Sequence, residues 1–165
     1  MQNWDLQEDH LRYKGVFDWN KVYRGMVGWF GQQGYFFNEG LYKQKSPETE
    51  IEWAAKRKID DYYLYEIKIR FQMWDLQDVE VVREGEKKVM QSGRMDITFK
   101  ARVVTDYSGR WDTTPFKKWL EKVYTGTIIK RDIEFKHLAA LYYTLYRLHE
   151  HTKELLGMET TGNAY

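Results

Sequence analysis

At 165 residues the chain has room for one domain with a sizeable hydrophobic core, and 42% hydrophobic with 31% charged residues is a globular balance. A formal net charge of +1 supplies no global field toward nucleic acid or an anionic membrane, so any electrostatic specificity has to come from a local patch. Zero cysteines exclude disulfides, thiolate metal sites and cysteine nucleophiles.

The aromatic share is high, with 7 Trp, 13 Tyr and 8 Phe against 2 Pro. Such side chains fill cores and also make adhesive surfaces, and composition does not divide them between the two uses. The first residues, Met1-Gln2-Asn3-Trp4-Asp5, carry neither a basic region nor an apolar run of the signal-peptide kind. No apolar stretch approaches the ~20 residues that span a bilayer. The default expectation is a cytoplasmic location.

Residues 2–14 are polar with interspersed Trp4, Leu6, Leu11 and Tyr13, which suits an edge strand or an ordered arm. Asp18 is a good N-cap for a helix from Trp19 to about Gln33, with Gly34 as its C-cap. Trp19, Val22, Tyr23, Met26, Val27 and Phe30 recur at the spacing of one buried helical stripe. Gly25, Gly28, Gly31 and Gly34 recur every third residue and are read as packing glycines. A phosphate cradle or nucleic-acid clamp would need neighbouring basic residues that are missing between Gly28 and Gly31.

Strands follow. Tyr35–Lys45 ends at Ser46-Pro47, and Ile51–Ile59 places Ile51, Trp53 and Ala55 on one side. After an Asp60-Asp61 turn, Tyr63, Tyr65, Ile67, Ile69, Phe71 and Met73 alternate strictly with Glu66, Lys68, Arg70 and Gln72. Arg83-Glu84-Gly85-Glu86 is a hairpin turn, and Met95, Ile97, Phe99, Ala101 and Val103 alternate again. Period-2 alternation marks antiparallel strands with one buried face. The arms flanking Gly85 exceed an ordinary strand, which predicts a bend or bulge near Trp74–Asp78 opposite Gln91–Gly93.

Two helices close the chain. Thr114 caps the first, Pro115 opens it, and Phe116, Trp119, Leu120 and Val123 are expected to be its buried stripe. Asp132 is expected to cap the second, which runs to about Leu156 before Gly157. Leu138, Leu141, Leu145 and Leu148 sit at heptad spacing, so they suit either a homo-oligomeric seam or, better for so short a repeat, the protein's own sheet. Tyr142 and Tyr143 cannot share that stripe, leaving aromatic surface over.

The expected fold is α+β: a curved antiparallel β-meander of four to six strands packed against an N-terminal helix and a long C-terminal helix, a layout like that of helix-grip domains. One domain over 1–157 is expected from the absence of a linker, and a frayed tail over 158–165 from its small and polar residues.

Four histidines, His10, His137, His149 and His151, are too scattered along the elements to share an ion, so neither a metal nor another cofactor is expected. Asp75 and Asp78 share one loop, and Asp106, Ser108 and Asp112 share another, but turn chemistry accounts for both groups. The residues favour binding over catalysis. A cleft between the sheet and the C-terminal helix, lined by Trp53, Tyr63, Tyr65, Phe71, Phe99 and Tyr142, would take a small apolar or aromatic ligand. The alternative is polyanion or single-stranded nucleic-acid binding on a basic sheet face made by Lys56, Lys58, Lys68, Arg70, Lys100 and Arg102. A third reading is a structural or adaptor protein that self-associates.

Overall fold

A computed structural model describes residues 1–158. From Glu159 onward the expected tail lies outside the described residues, while Met158 packs against the core and donates its backbone N–H to the Lys153 carbonyl.

The alternating segments form one antiparallel sheet of six strands. β3 (Phe36–Lys45), β4 (Glu48–Lys58), β5 (Tyr63–Arg83) and β6 (Glu86–Thr105) make the meander. The N-terminal arm supplies β1 (Gln2–Asp5) and β2 (Asp9–Phe17), which pair one after the other along the outer side of β6. Register pairs Tyr65 with Val103, Ile69 with Phe99 and Met73 with Met95, so the odd-numbered side chains share one face. That face is the core, as strict alternation requires.

The expected bend is present. Pairing of β5 with β6 slips between Trp74 and Gln77, where Asp75 and Leu76 oppose Gly93. A Cβ on Gly93 would stand 2.8 Å from the Trp74 carbonyl oxygen, so the bulge holds only with glycine there. Beyond it the two arms continue as a ribbon that reaches the start of α1 (Trp19–Gln32), where Lys88 pairs with Asp18 at 2.5 Å and the Gln91 side chain accepts from the Trp19 N–H.

Asp18 caps α1 by accepting the Lys21 N–H, and Gly34 takes the left-handed conformation (φ 77) just past its end. Val22, Met26 and Phe30 are buried on the sheet. Among the α1 glycines only Gly25 has the expected packing role: Leu155 of the C-terminal helix lies against it, closer than a Cβ would allow. Gly28 and Gly31 face open space within α1.

The C-terminal third is one irregular helical path: α2 (Pro115–Val123), a π-helical turn over Tyr124–Ile128, α3 (Lys130–Asp132), a second π segment over Ile133–Leu138, and α4 (Ala139–Leu155). Its buried residues Glu121, Thr125, Ile129, Ile133, His137, Leu141 and Leu145 recur every fourth position. In a regular helix four residues overshoot a turn by about 40°, which would wind such a stripe off the sheet. The wider π turns, closed by bonds such as Ile129 N–H to the Tyr124 carbonyl at 3.0 Å, absorb the excess. Asp132 is therefore not an N-cap. It lies inside this path with helical dihedrals and makes no capping bond.

The expected buried stripe of α2 is the larger correction. Thr114 does cap the helix and Pro115 does open it, but Phe116 is 67% exposed and Trp119 59%, with Leu120 and Val123 also exposed. The one α2 residue turned inward is Glu121, at 4%. Amphipathic spacing predicted the helix and its apolar face correctly, and that face looks out.

Candidate binding groove at the end of the sheet

The β4–β5 turn is built by one aspartate. Asp60 Oδ1 accepts the N–H groups of Tyr62 at 2.8 Å and Tyr63 at 2.7 Å, and the Tyr107 hydroxyl donates to the Asp60 carbonyl at 2.8 Å. The turn thus presents two adjacent tyrosines edge to face, ring centroids 5.0 Å apart. They face the C-terminal path across a groove of about 580 Å³. Leu120, Val123, Tyr124 and Ile128 form the opposite wall, Trp111 the rim, and Glu121 the polar floor. The volume and the apolar walls with few polar groups are those of a small-molecule site.

Each wall has a local cause. Tyr63 stacks on the His137 ring, centroids 4.0 Å apart, and burial pushes its phenol up to about 12, so it stays protonated and neutral. The Tyr62 hydroxyl lies 3.4 Å from Glu121 Oε1 and 3.3 Å from the Thr125 hydroxyl; burial, reinforced by the Glu121 charge, raises its pKa despite the opposing Thr125 bond. Asp106 accepts the N–H groups of Arg110 and Trp111 at 2.9 and 3.1 Å, shaping the loop that sets Trp111 on the rim.

Glu121 has a second neighbourhood. Its Oε2 lies 3.4 Å from the Met1 ammonium, which also contacts Asp112 at 3.0 Å and Asp106 at 3.7 Å. Burial works against the ammonium charge, but the Asp112 hydrogen bond and the Glu121 and Asp112 charges outweigh it and raise the pKa. The sequence reading singled out Asp106 and Asp112 as turn residues and missed Glu121, whose place in an amphipathic helix gave no sign that it turns inward.

The six residues expected to line one cleft are dispersed. Trp53, Phe71 and Phe99 are packed in the core with Leu141, Leu145 and Leu148. Tyr65 is buried beside them, its hydroxyl 2.8 Å from His137 Nδ1. Tyr142 points outward at 57% exposure. Of the six, Tyr63 lines the groove. Leu141, Leu145 and Leu148 are buried on the protein's own sheet and Leu138 packs against the same core, so this leucine series offers no seam for self-association.

The basic sheet face is assembled as β4, β5 and β6 pair, with Lys68 opposite both Ala54 and Lys100, and four of its six cations, Lys56, Arg70, Lys100 and Arg102, have carboxylate partners. Glu66 takes Lys56 at 3.6 Å and also Arg102; Glu50 takes Arg70 at 2.6 Å; Glu8 takes Lys100 at 2.6 Å. Lys58 lies over the Tyr107 ring. The histidines are held separately: His137 by Tyr65, His149 by Asp9 at 2.7 Å, and His151 by the Gly25 carbonyl at 3.3 Å. No helix among the described residues is long and apolar enough to cross a membrane.

Fold and groove together define an α+β fold with a core of packed aromatic and aliphatic side chains and an aromatic groove at one end of its sheet. No protein-family model matches the chain, and no curated protein matches it in sequence.

Proposed function

We propose that this chain is a non-enzymatic binding domain that takes a small apolar or aromatic ligand in the groove between Tyr62–Tyr63 and the α2–π segment. The observation that carries the reading is the groove's composition: about 580 Å³ lined by aromatic and aliphatic side chains, with Glu121 and the Tyr62 hydroxyl among its polar groups. Transfer of apolar surface from water drives entry, at roughly 25 cal/mol per Å² buried, and the polar floor orients one end of the ligand. Against catalysis stands the engagement of the nearby acids. Asp106 is committed to the backbone N–H groups of Arg110 and Trp111, and Glu121 lies 3.4 Å from the Tyr62 hydroxyl.

The test is titration with the fluorescent probe 1-anilinonaphthalene-8-sulfonate. The protein enhances its emission saturably, and Ile128→Asp, which places a charge in the apolar wall, weakens binding at least about tenfold, as a desolvated charge implies. Equal affinity of the variant and the parent chain contradicts the proposal.

A further inference from the structure

α2 is built inside out. At about 100° per residue, Phe116, Trp119, Leu120 and Val123 occupy one continuous sector of the helix, and that sector faces outward. Phe116 and Trp119 stack at its outer end with ring centroids 6.1 Å apart. An exposed stripe with two large aromatics is surface that a monomer in water would bury at lower free energy. Lys117 falls on one flank of the stripe and Lys122 on the other, while Lys118 lies behind it.

Charge identifies what covers it. On the sheet face Lys58 and Lys68 form no ion pair within 4.0 Å among the described residues, but Lys56, Arg70, Lys100 and Arg102 have carboxylate partners at Glu66, Glu50 and Glu8. Among the described residues, by contrast, no ion pair within 4.0 Å forms at Lys117, Lys118 or Lys122. A twofold contact between two copies of this stripe would set these lysines against their own counterparts, since such a contact is self-complementary. An anionic lipid surface satisfies both features at once: Phe116 and Trp119 enter the headgroup–acyl boundary while the flanking ammonium groups meet lipid phosphates and carboxylates.

We propose that α2 is an interfacial helix that docks this protein on an anionic membrane surface. The stripe adjoins the groove, whose wall includes Leu120 and Val123, but the two residues that carry the docking, Phe116 and Trp119, stand outside it.

Co-sedimentation of the full chain with phosphatidylcholine vesicles, with and without phosphatidylserine, tests it. The chain pellets with the phosphatidylserine vesicles and less as salt rises, while remaining in the supernatant of phosphatidylcholine alone. The double variant Phe116→Ser/Trp119→Ser stays in solution. Lys117→Glu/Lys122→Glu lowers partitioning at least about tenfold, as expected for charges at an anionic surface. Lys68→Glu/Lys100→Glu, on the sheet face, leaves it within a factor of about two of the parent chain. Circular dichroism and thermal midpoints matching the parent chain establish that the α2 variants are folded. Absence of pelleting on the anionic vesicles overturns the proposal. So does pelleting that Phe116→Ser/Trp119→Ser leaves intact, or a dimer in light scattering that this double variant dissociates while vesicles are ignored.

Discussion

The Tyr65 hydroxyl and His137 Nδ1 lie 2.8 Å apart in the interior, joining the central strand β5 to the second π segment. The same imidazole stacks on Tyr63, so one side chain supports both the core beneath the groove and a groove wall. With Tyr65 donating, the imidazole accepts at Nδ1 and is neutral. Tyr65→Phe removes the donor and leaves Nδ1 buried without a partner. Urea unfolding should register a loss of about 1–2 kcal/mol. No loss would mean that the pair contributes nothing to holding the helix path on the sheet.

Acid stability follows from the same residue. Desolvation, helped by the Lys136 charge, lowers the His137 pKa below its ordinary 6.5. The unfolded chain therefore takes up this proton at a higher pH than the folded one does. Between the two values the unfolded state binds more protons, and stability falls as pH drops below about 6.5. His137→Gln should flatten the pH dependence of the unfolding free energy below about pH 6.5. A slope equal to that of the parent chain would place the titration elsewhere.

Gly25 is where α1 and α4 come closest, and Leu155 occupies the space a side chain would need. Gly25→Ala gains helix propensity but forces Leu155 to move, and overpacking of this kind costs about 1–3 kcal/mol. Adding Leu155→Ala should recover part of the Gly25→Ala loss, a coupling readable in a double-mutant cycle. Gly28→Ala is the control, since nothing lies within 4 Å of its missing Cβ, and it should stabilise by up to about 1 kcal/mol. Equal effects at Gly25 and Gly28 would contradict the close approach.

The two apolar stripes of the C-terminal path should answer mutation in opposite ways. Leu145→Ala empties a core position and is expected to cost about 2–5 kcal/mol. Phe116→Ser on α2 loses no buried contact and should stay within about 0.5 kcal/mol of the parent chain. Thermal midpoints distinguish the two directly, and a large loss from Phe116→Ser would mean that α2 buries its aromatic face after all.

Much of the sheet was legible in the sequence because a period of two leaves no choice of face: once Ile67, Ile69 and Phe71 alternate with Lys68 and Arg70, the odd side must be the core. Excess arm length likewise announced the bulge at Asp75–Leu76. Helices are less explicit. The spacing of Phe116, Trp119, Leu120 and Val123 defines a stripe but not the side the protein covers, and the residue that settles it is the buried carboxylate of Glu121. The fourfold recurrence from Glu121 to Leu145 passes through a glutamate, a threonine and a histidine, so a search for apolar residues does not see it, and the π turns that accommodate it carry no composition of their own. The groove was half visible. Tyr63 belonged to the expected ligand set, while Tyr124 and Ile128 reach the groove through the unforeseen course of the helix and Trp111 through the loop held by Asp106. The sheet's cations were located correctly, but the carboxylates that pair with some of them come from elsewhere, Glu50 from the neighbouring strand β4 and Glu8 from the link between β1 and β2, a pairing that alternation alone does not reveal.

The most direct test of the groove is the position of the ligand on the protein. In a titration with 1-anilinonaphthalene-8-sulfonate followed by side-chain and backbone NMR, the resonances of Tyr62, Tyr63, Trp111, Tyr124 and Ile128 should shift together and saturably. Those of Trp53, Phe71 and Phe99, packed in the core, should hold still. Shifts centred on these three core residues, with the groove residues unmoved, would contradict the account and locate binding between the sheet and α4.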